Sequence, residues 1–251
     1  MPRFLYATRP LNIGHRGASH VAPENTLASF EAARETGADG VELDVRLSAD
    51  GEVVVIHDDT VDRTTTGHGQ VRDLRWGGIK GLDAGSWFGP EFAGERIPAL
   101  REVIEWARDD MLLDIELKGV SVRSNGLEQK VIELIREHQL QARVILSSFN
   151  PFVLRRAKQM APELEAGLLY SSELPIFLRR AWLRPFSQAD ALHPYYLMVS
   201  DSYLGWARRK GYRVNVWTAD RAEDMAWLIA RRVDMIITNR PDVLASVLQP
   251  G

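Results

Sequence analysis

GVELDVRLSADGEVVVIHD, residues 40–58, contains two strand-like runs with very little chain between them. Val41, Leu43 and Val45 alternate with Glu42 and Asp44, and Glu52 to Asp58 forms a second run rich in valine and isoleucine. SADG, residues 48–51, is a turn sequence between them. A parallel crossover takes about a dozen residues or more, whereas so tight a turn joins antiparallel strands. The stretch therefore predicts a strand that runs on past its neighbours, folds over at Asp50 and Gly51, and returns with His57 beside Leu43 and Asp44.

Outward from this hairpin, apolar runs recur at LNIG (11–14), LLDIEL (112–117), RVILSSF (143–149), EAGLLY (165–170), DALHP (190–194), RVNVWT (213–218) and MIIT (235–238). With GVELDV (40–45) they make eight strand candidates, and helix signals lie between them. Leu27, Phe30 and Ala33 end at Gly37; Pro98 precedes Leu100, Val103, Ile104 and Ala107; Asn150 stands as a cap before Pro151; Ser200 to Lys210 ends at Gly211. Strands alternating with helices make a parallel sheet with helices outside, and eight such units predict a closed (β/α)₈ TIM barrel. We read residues 1–251 as one domain, without linkers, low-complexity segments or repeats. Residues 58–97, rich in glycine and charge and poor in helical periodicity, are expected to form a small inserted segment after the hairpin, a lid or substrate-contacting piece.

Composition narrows the chemistry. With 251 residues, 45% hydrophobic and 26% charged, the chain can bury one large core. A net charge of -3 argues against a surface built for nucleic acid, so any affinity for anions is local. The absence of cysteine excludes disulfides, thiol nucleophiles and thiolate metal sites, leaving oxygen and imidazole as ligands. MPRFLYATRP, at the start, lacks the apolar core of a secretion signal, and a cytoplasmic protein is expected. No apolar run approaches the roughly 18 residues of a membrane span, so no stable insertion is expected. ELPIFLRRAWLRPFS, residues 173–187, interleaves Phe177, Trp182 and Phe186 with Arg179, Arg180 and Arg184. We favour a barrel helix with a basic outer face over a weak membrane-surface contact. Nothing points to a particular oligomeric state.

In such a barrel, functional side chains gather at the carboxyl ends of the strands. Those positions carry His15 and Arg16, Glu42 and Asp44, His57, Glu116 and Lys118. Glu42 and Asp44 share one face of their strand, where two like charges are costly unless a cation lies between them. Salt bridges to arginine are the structural alternative, but Glu116 on the neighbouring strand adds a third oxygen ligand. Carboxylates alone favour Mg²⁺, Ca²⁺ or Mn²⁺ over zinc. His15 beside Arg16 suits phosphate chemistry, since the guanidinium grips phosphoryl oxygens while histidine moves a proton near neutral pH. His20, His68 and His138 are read as structural, and His193 is left open.

Taken in order, HRG (15–17), PENT (23–26), ELDV (42–45), SADG (48–51), IHD (56–58), DRTTTGHG (62–69), ELK (116–118), WTAD (217–220) and ITNRPD (237–242) resemble the glycerophosphodiester phosphodiesterase family over nearly the whole chain. The resemblance implies a (β/α)₈ barrel with a small insertion, one divalent cation, and hydrolysis of small-molecule glycerophosphodiesters to sn-glycerol 3-phosphate and an alcohol. By position it implies Glu42, Asp44 and Glu116 as metal ligands, His15 and His57 as the acid/base pair, and Arg16 and Lys118 as phosphate clamps. Trp217, at a strand end, packs either against glycerol or alcohol or into the core. Two positions depart from the family pattern: Ser48 stands where threonine is usual, and Asn239 where aspartate is usual, which removes a charge from the rim. In PENT, Asn25 or Thr26 is expected to cap the following helix. Two other functions share the same residues: a lysophospholipase D-like activity, and a phosphometabolite-binding barrel without catalysis. A sugar isomerase or aldolase barrel would not account for the ordered set.

Overall fold

β1 (Leu11–His15) and β2 (Gly40–Leu47) are paired in parallel, and β2 carries the returning hairpin strand β3 (Val53–Val55). β4 (Leu112–Leu117), β5 (Val144–Ser148), β6 (Glu165–Tyr170), β7 (Ala191–Pro194), β8 (Arg213–Val216) and β9 (Met235–Thr238) follow in order. Each is parallel to the next, and β9 returns to β1, which closes an eight-stranded barrel. The computed structural model describes residues 6–107, 110–119, 121–176 and 181–249. All eight expected strands are present.

The hairpin forms as its turn sequence requires. Val45 pairs with Val55 and Leu47 with Val53, antiparallel, and the turn closes with Gly51 N donating to Ser48 O at 3.0 Å. Beyond β3, Ile56 N donates to Asp44 O at 2.9 Å, which continues the register and brings His57 back over β2.

Helices cover the outside of the barrel through one apolar stripe each. Helix Leu127–Glu137 buries Leu127, Val131, Ile132, Leu134 and Ile135. Capping follows the sequence: Asn150 accepts from Phe152 N and Ser200 from Tyr203 N. Before helix Leu27–Glu35 the cap is Thr26, which accepts from Ser29 N, so Asn25 is released for another task.

Leu11, Ile13, Leu112, Ile145, Ala191, Met235 and Ile237 fill the lower interior. Above them lies a polar layer of Asp114, Ser147, His193 and Asn215, all buried. Gly167 makes room for it, because a Cβ there would sit 2.2 Å from His193 Nε2. Residues 58–97 have short helical pieces only, among them Trp76–Ile79, and enclose a small core of Val61, Val71, Ile79, Ala84 and Ile97 against Val54 and Ile56.

The expected basic helix over residues 173–187 falls partly outside the described residues. Phe177, Arg179 and Arg180 lie outside the described residues, and Arg184–Ser187 is a four-residue helix. Arg184 stacks 4.7 Å over the Trp206 ring, and Phe186 lies under Arg155 at 4.6 Å. Guanidinium groups are held by aromatic faces, which turns these side chains toward neighbouring helices; Trp182 is 55% exposed. Among the described residues, no helix is long and apolar enough to cross a membrane.

Candidate active site

β1 ends at His15, and the chain then turns sharply through Arg16 (φ 54°) and Gly17 (φ 88°). A Cβ on Gly17 would meet Ser29 Oγ at 2.0 Å and the Ser29 backbone at 2.6 Å, so the first helix packs where only glycine fits. A left-handed arginine costs about 1–3 kcal/mol. Hydrogen bonds hold it there: Arg16 O accepts from Asn25 N and from Ser29 Oγ, and Arg16 N donates to Glu42 Oε2 at 3.1 Å. The HRG sequence thus aims both His15 and Arg16 into the barrel mouth.

Strand register assembles the acids. Glu42 is level with His15 and Asp114, and Asp44 with Glu116. Glu42, Asp44 and Glu116 are buried and offer oxygens that all lie within 4.8 Å of one another. Lys118 Nζ stands 2.8 Å from both Asp44 Oδ1 and Glu116 Oε1, and Arg16 Nε 3.2 Å from Asp44 Oδ2.

The charges divide unequally. Burial pushes Asp44 up, but Lys118, Arg16 and His57 together hold it well below the usual carboxylate range. Burial, then Asp44 and Glu116, push Glu42 well above that range. Burial pushes Glu116 up to about 7 against the pull of Lys118. Three buried acids face two cations, one of them shared with Glu24, and uncompensated buried charge costs several kcal/mol per ion. An all-oxygen set short of positive charge, already drawing in one ammonium, fits a hard divalent cation.

Both histidines face this cluster. His15 Nε2 is 3.9 Å from Glu42 Oε2, and its Nδ1 is 2.7 Å from Asn239 Oδ1. Burial, reinforced by Arg16, pushes its pKa down to about 4. His57 Nδ1 is 2.6 Å from Asp58 Oδ1; burial lowers its pKa, against Asp44. Arg46 donates twice to His57 O, at 2.9 and 2.7 Å, and so anchors the returning chain.

Other residues belong to the site without having been singled out by type. Asn25 clasps Asp44, and Glu24 pairs with Arg16 at 2.8 Å. Arg63, from the insertion, bridges Glu24 (2.7 Å) and Asp58 (2.6 Å) and ties the inserted segment to both catalytic candidates' neighbours. Their presence inside PENT and DRTTTGHG was the available signal. Trp217 donates Nε1–H to His193 O at 2.8 Å and presents its ring beside Phe149, 5.4 Å between centroids. His193 is fully buried; its Nε2 accepts from Asn215 Nδ2–H at 2.9 Å, and its Nδ1 lies 3.5 Å from Asp114 Oδ2. His68 is exposed beside Asp62, and His138 ends a helix.

Two cavities meet at His15 and Arg16. The inner one, about 180 Å³, is lined by His15, Glu42, His57, Glu116, Phe149 and Trp217 among others. The outer one, about 540 Å³, adds Ser19, His20, Glu24, Asp220, Asn239 and Arg240. A groove of about 570 Å³ between the insertion and the helices that follow β4 and β5 shares Lys118 with the inner cavity. Glu42, Glu116, both histidines and the apolar wall of Phe149 and Trp217 line the smaller inner cavity.

Comparison with known proteins agrees with this geometry. The sequence profile of the Glycerophosphoryl diester phosphodiesterase family matches residues 15–243. A glycerophosphodiester phosphodiesterase of Caldanaerobacter subterraneus subsp. tengcongensis is 46% identical over 245 residues, covering 97% of this chain and 99% of that one. Among solved structures, a glycerophosphodiester phosphodiesterase from Agrobacterium tumefaciens is similar with a TM-score of 0.83 and 32% identity, over 94% of this chain and 99% of that one. A phosphodiesterase from Oleispira antarctica, in complex with the product sn-glycerol-3-phosphate, has a TM-score of 0.80 and 33% identity, over 96% and 97%.

Proposed function

The chain belongs to the glycerophosphoryl diester phosphodiesterase family and is a phosphoric diester hydrolase, and from that premise we propose that it cleaves glycerophosphodiesters to sn-glycerol 3-phosphate and an alcohol, using a divalent cation, Mg²⁺, Ca²⁺ or Mn²⁺, together with His15 and His57. One observation carries the reading: a buried cluster of three carboxylates, two of which, Glu42 and Glu116, line one cavity with two histidines, an arginine and a lysine. Glu42, Asp44 and Glu116 are the residues that would hold the cation. When bound, it supplies Lewis acidity and positive charge at the phosphoryl oxygens.

The chain's own residues do the rest. Arg16 and Lys118 hold phosphoryl oxygens, and Trp217 with Phe149 forms an apolar wall for the glycerol carbons. His15 takes the proton from the attacking hydroxyl and His57 gives one to the departing alkoxide. The difference in their partners supports this assignment: the Asp58 carboxylate favours a protonated imidazole, whereas the Asn239 amide adds no charge.

The nucleophile we assign is the substrate's hydroxyl beside the esterified carbon. Tethered groups reach effective molarities of about 10⁵–10⁸ M. Its oxygen bonds to phosphorus as the bond to the alcohol breaks, giving a cyclic phosphate. Water then opens the ring, with His57 as base and His15 returning its proton. Residues 58–97 contribute to the substrate site through Arg63 and Asp58.

The test is release of glycerol 3-phosphate from a panel of glycerophosphodiesters and lysophospholipids with each ion, before and after chelation. Turnover is expected with the water-soluble diesters, to vanish on chelation, and to be absent with an analogue lacking only the neighbouring hydroxyl. Full activity after exhaustive chelation rejects the metal; hydrolysis of the analogue at comparable kcat rejects the cyclic route. His15→Ala and His57→Ala are each expected to lose about 10²–10⁴-fold in kcat.

A further inference from the structure

Asp220 and Asn239 stand at the wall of the outer cavity, in the WTAD and ITNRPD segments, and the reaction above gives Asp220 no part. Asp220 accepts three hydrogen bonds from two adjacent residues. Its Oδ1 takes Thr238 Oγ1–H at 2.9 Å and the Asn239 backbone N–H at 2.8 Å; its Oδ2 takes Asn239 Nδ2–H at 2.7 Å. A carboxylate only accepts, so the amide nitrogen of Asn239 must face Asp220 and the amide oxygen must face away.

That oxygen meets His15 Nδ1 at 2.7 Å and Ser19 Oγ at 2.8 Å. It carries no proton, so both neighbours donate to it. In a neutral imidazole only one nitrogen bears hydrogen. With Nδ1 donating, Nε2 has the lone pair, and Nε2 is the atom on the Glu42 side of the ring.

We propose that Asn239, clamped by Asp220, is a positioning residue that fixes His15 as the Nδ1–H tautomer and so presents the Nε2 lone pair to the cavity. The catalytic consequence rests on the reading of His15 as base. A flipped or freely turning ring would place a hydrogen where the base needs a lone pair. The clamp also accounts for asparagine at this position. An aspartate at 239 would face the Asp220 carboxylate across 2.7 Å, two acceptors without a proton between them.

The experiment uses the full chain with ring-¹⁵N histidine and a long-range ¹H–¹⁵N spectrum, the His15 signals being those lost in His15→Gln. Wild type is expected to show the Nδ1–H tautomer. Asn239→Ala is expected to move His15 toward the other tautomer and to lower kcat by about 10–100-fold, with KM for a glycerophosphodiester little changed. The exchange Asp220→Asn with Asn239→Asp keeps every hydrogen bond, because the amide introduced at 220 donates to the carboxylate introduced at 239. It is expected to fold, to show Nδ1–H and to recover most of kcat, whereas Asn239→Asp alone does not. An Nε2–H signal in wild type overturns the proposal, as does an Asn239→Ala protein that keeps both tautomer and kcat. A tautomer that shifts while kcat holds rejects His15 as base and leaves the clamp standing, since the spectrum needs no turnover.

Discussion

Asn25 and Asp44 hold each other by two hydrogen bonds: Asn25 Nδ2 donates to Asp44 Oδ2 at 2.8 Å, and the Asp44 backbone N–H donates to Asn25 Oδ1 at 3.3 Å. Asn25 reaches this position with φ 59°, a left-handed turn that asparagine tolerates better than most residues. One carboxylate oxygen of Asp44 is thereby fixed before any cation arrives. Asn25→Gly keeps the backbone turn and removes the clasp. Divalent-ion affinity measured by calorimetry is expected to fall by about 10–100-fold; an unchanged Kd would leave Asn25 a turn residue only.

Glu42→Gln is expected to act with opposite signs in the absence and presence of the ion. Burial and the neighbouring Asp44 and Glu116 push Glu42 well above its usual range, so neutralising it relieves repulsion. In EDTA the variant should melt at the same temperature as wild type or higher. With the ion at about a hundredfold over Kd, wild type gains about 2.7 kcal/mol by mass action, and the variant should lose most of that gain. Equal ion-induced shifts in Tm would remove Glu42 from the ligand set.

His193 gives the fold a pH dependence on the acid side. Burial pushes its pKa down to about 3, against about 6.5 in an unfolded chain. The unfolded state binds the proton more tightly, so this contribution is complete above about pH 6.5 and is lost as pH falls toward 3. One proton corresponds to a slope of at most about 1.4 kcal/mol per pH unit. Urea midpoints compared between about pH 4.5 and 7.5 should vary less in His193→Gln than in wild type, and parallel curves would assign the acid sensitivity to other groups.

Arg63 should couple the inserted segment to turnover. Its guanidinium bridges Glu24, which holds Arg16, and Asp58, which holds His57. Arg63→Ala is expected to speed limited proteolysis within residues 58–97. Its loss in kcat should be smaller than the about 10²–10⁴-fold of a missing proton carrier, because neither histidine is removed. A cleavage rate and a kcat both equal to wild type would show the bridge to be a surface ion pair of little weight.

Much of the barrel is legible from local signals, because a strand's side-chain period and a helix's apolar stripe are set by neighbours in sequence. LLDIEL and MIIT are strands over the residues that their apolar runs mark. SADG turns because its chemistry turns, and counting back from it places His57 over Asp44. Glu42 and Asp44 share a face for the same local reason, and that alone brings two of the three clustered acids together.

The contacts between distant segments are decided otherwise. Asn25 and Thr26 are both good caps in sequence; the left-handed turn at Asn25 gives the cap to Thr26 and sends the amide to a strand 19 residues on. Asn239 finds His15 only because β9 closes beside β1, across 224 residues, and Arg63 finds Glu24 only because the inserted segment packs against the loop that follows β1. Such pairs leave no periodicity to read. Their partners are chosen by barrel closure and by the need of each buried donor or acceptor to be matched, and only the assembled tertiary structure shows which atoms meet.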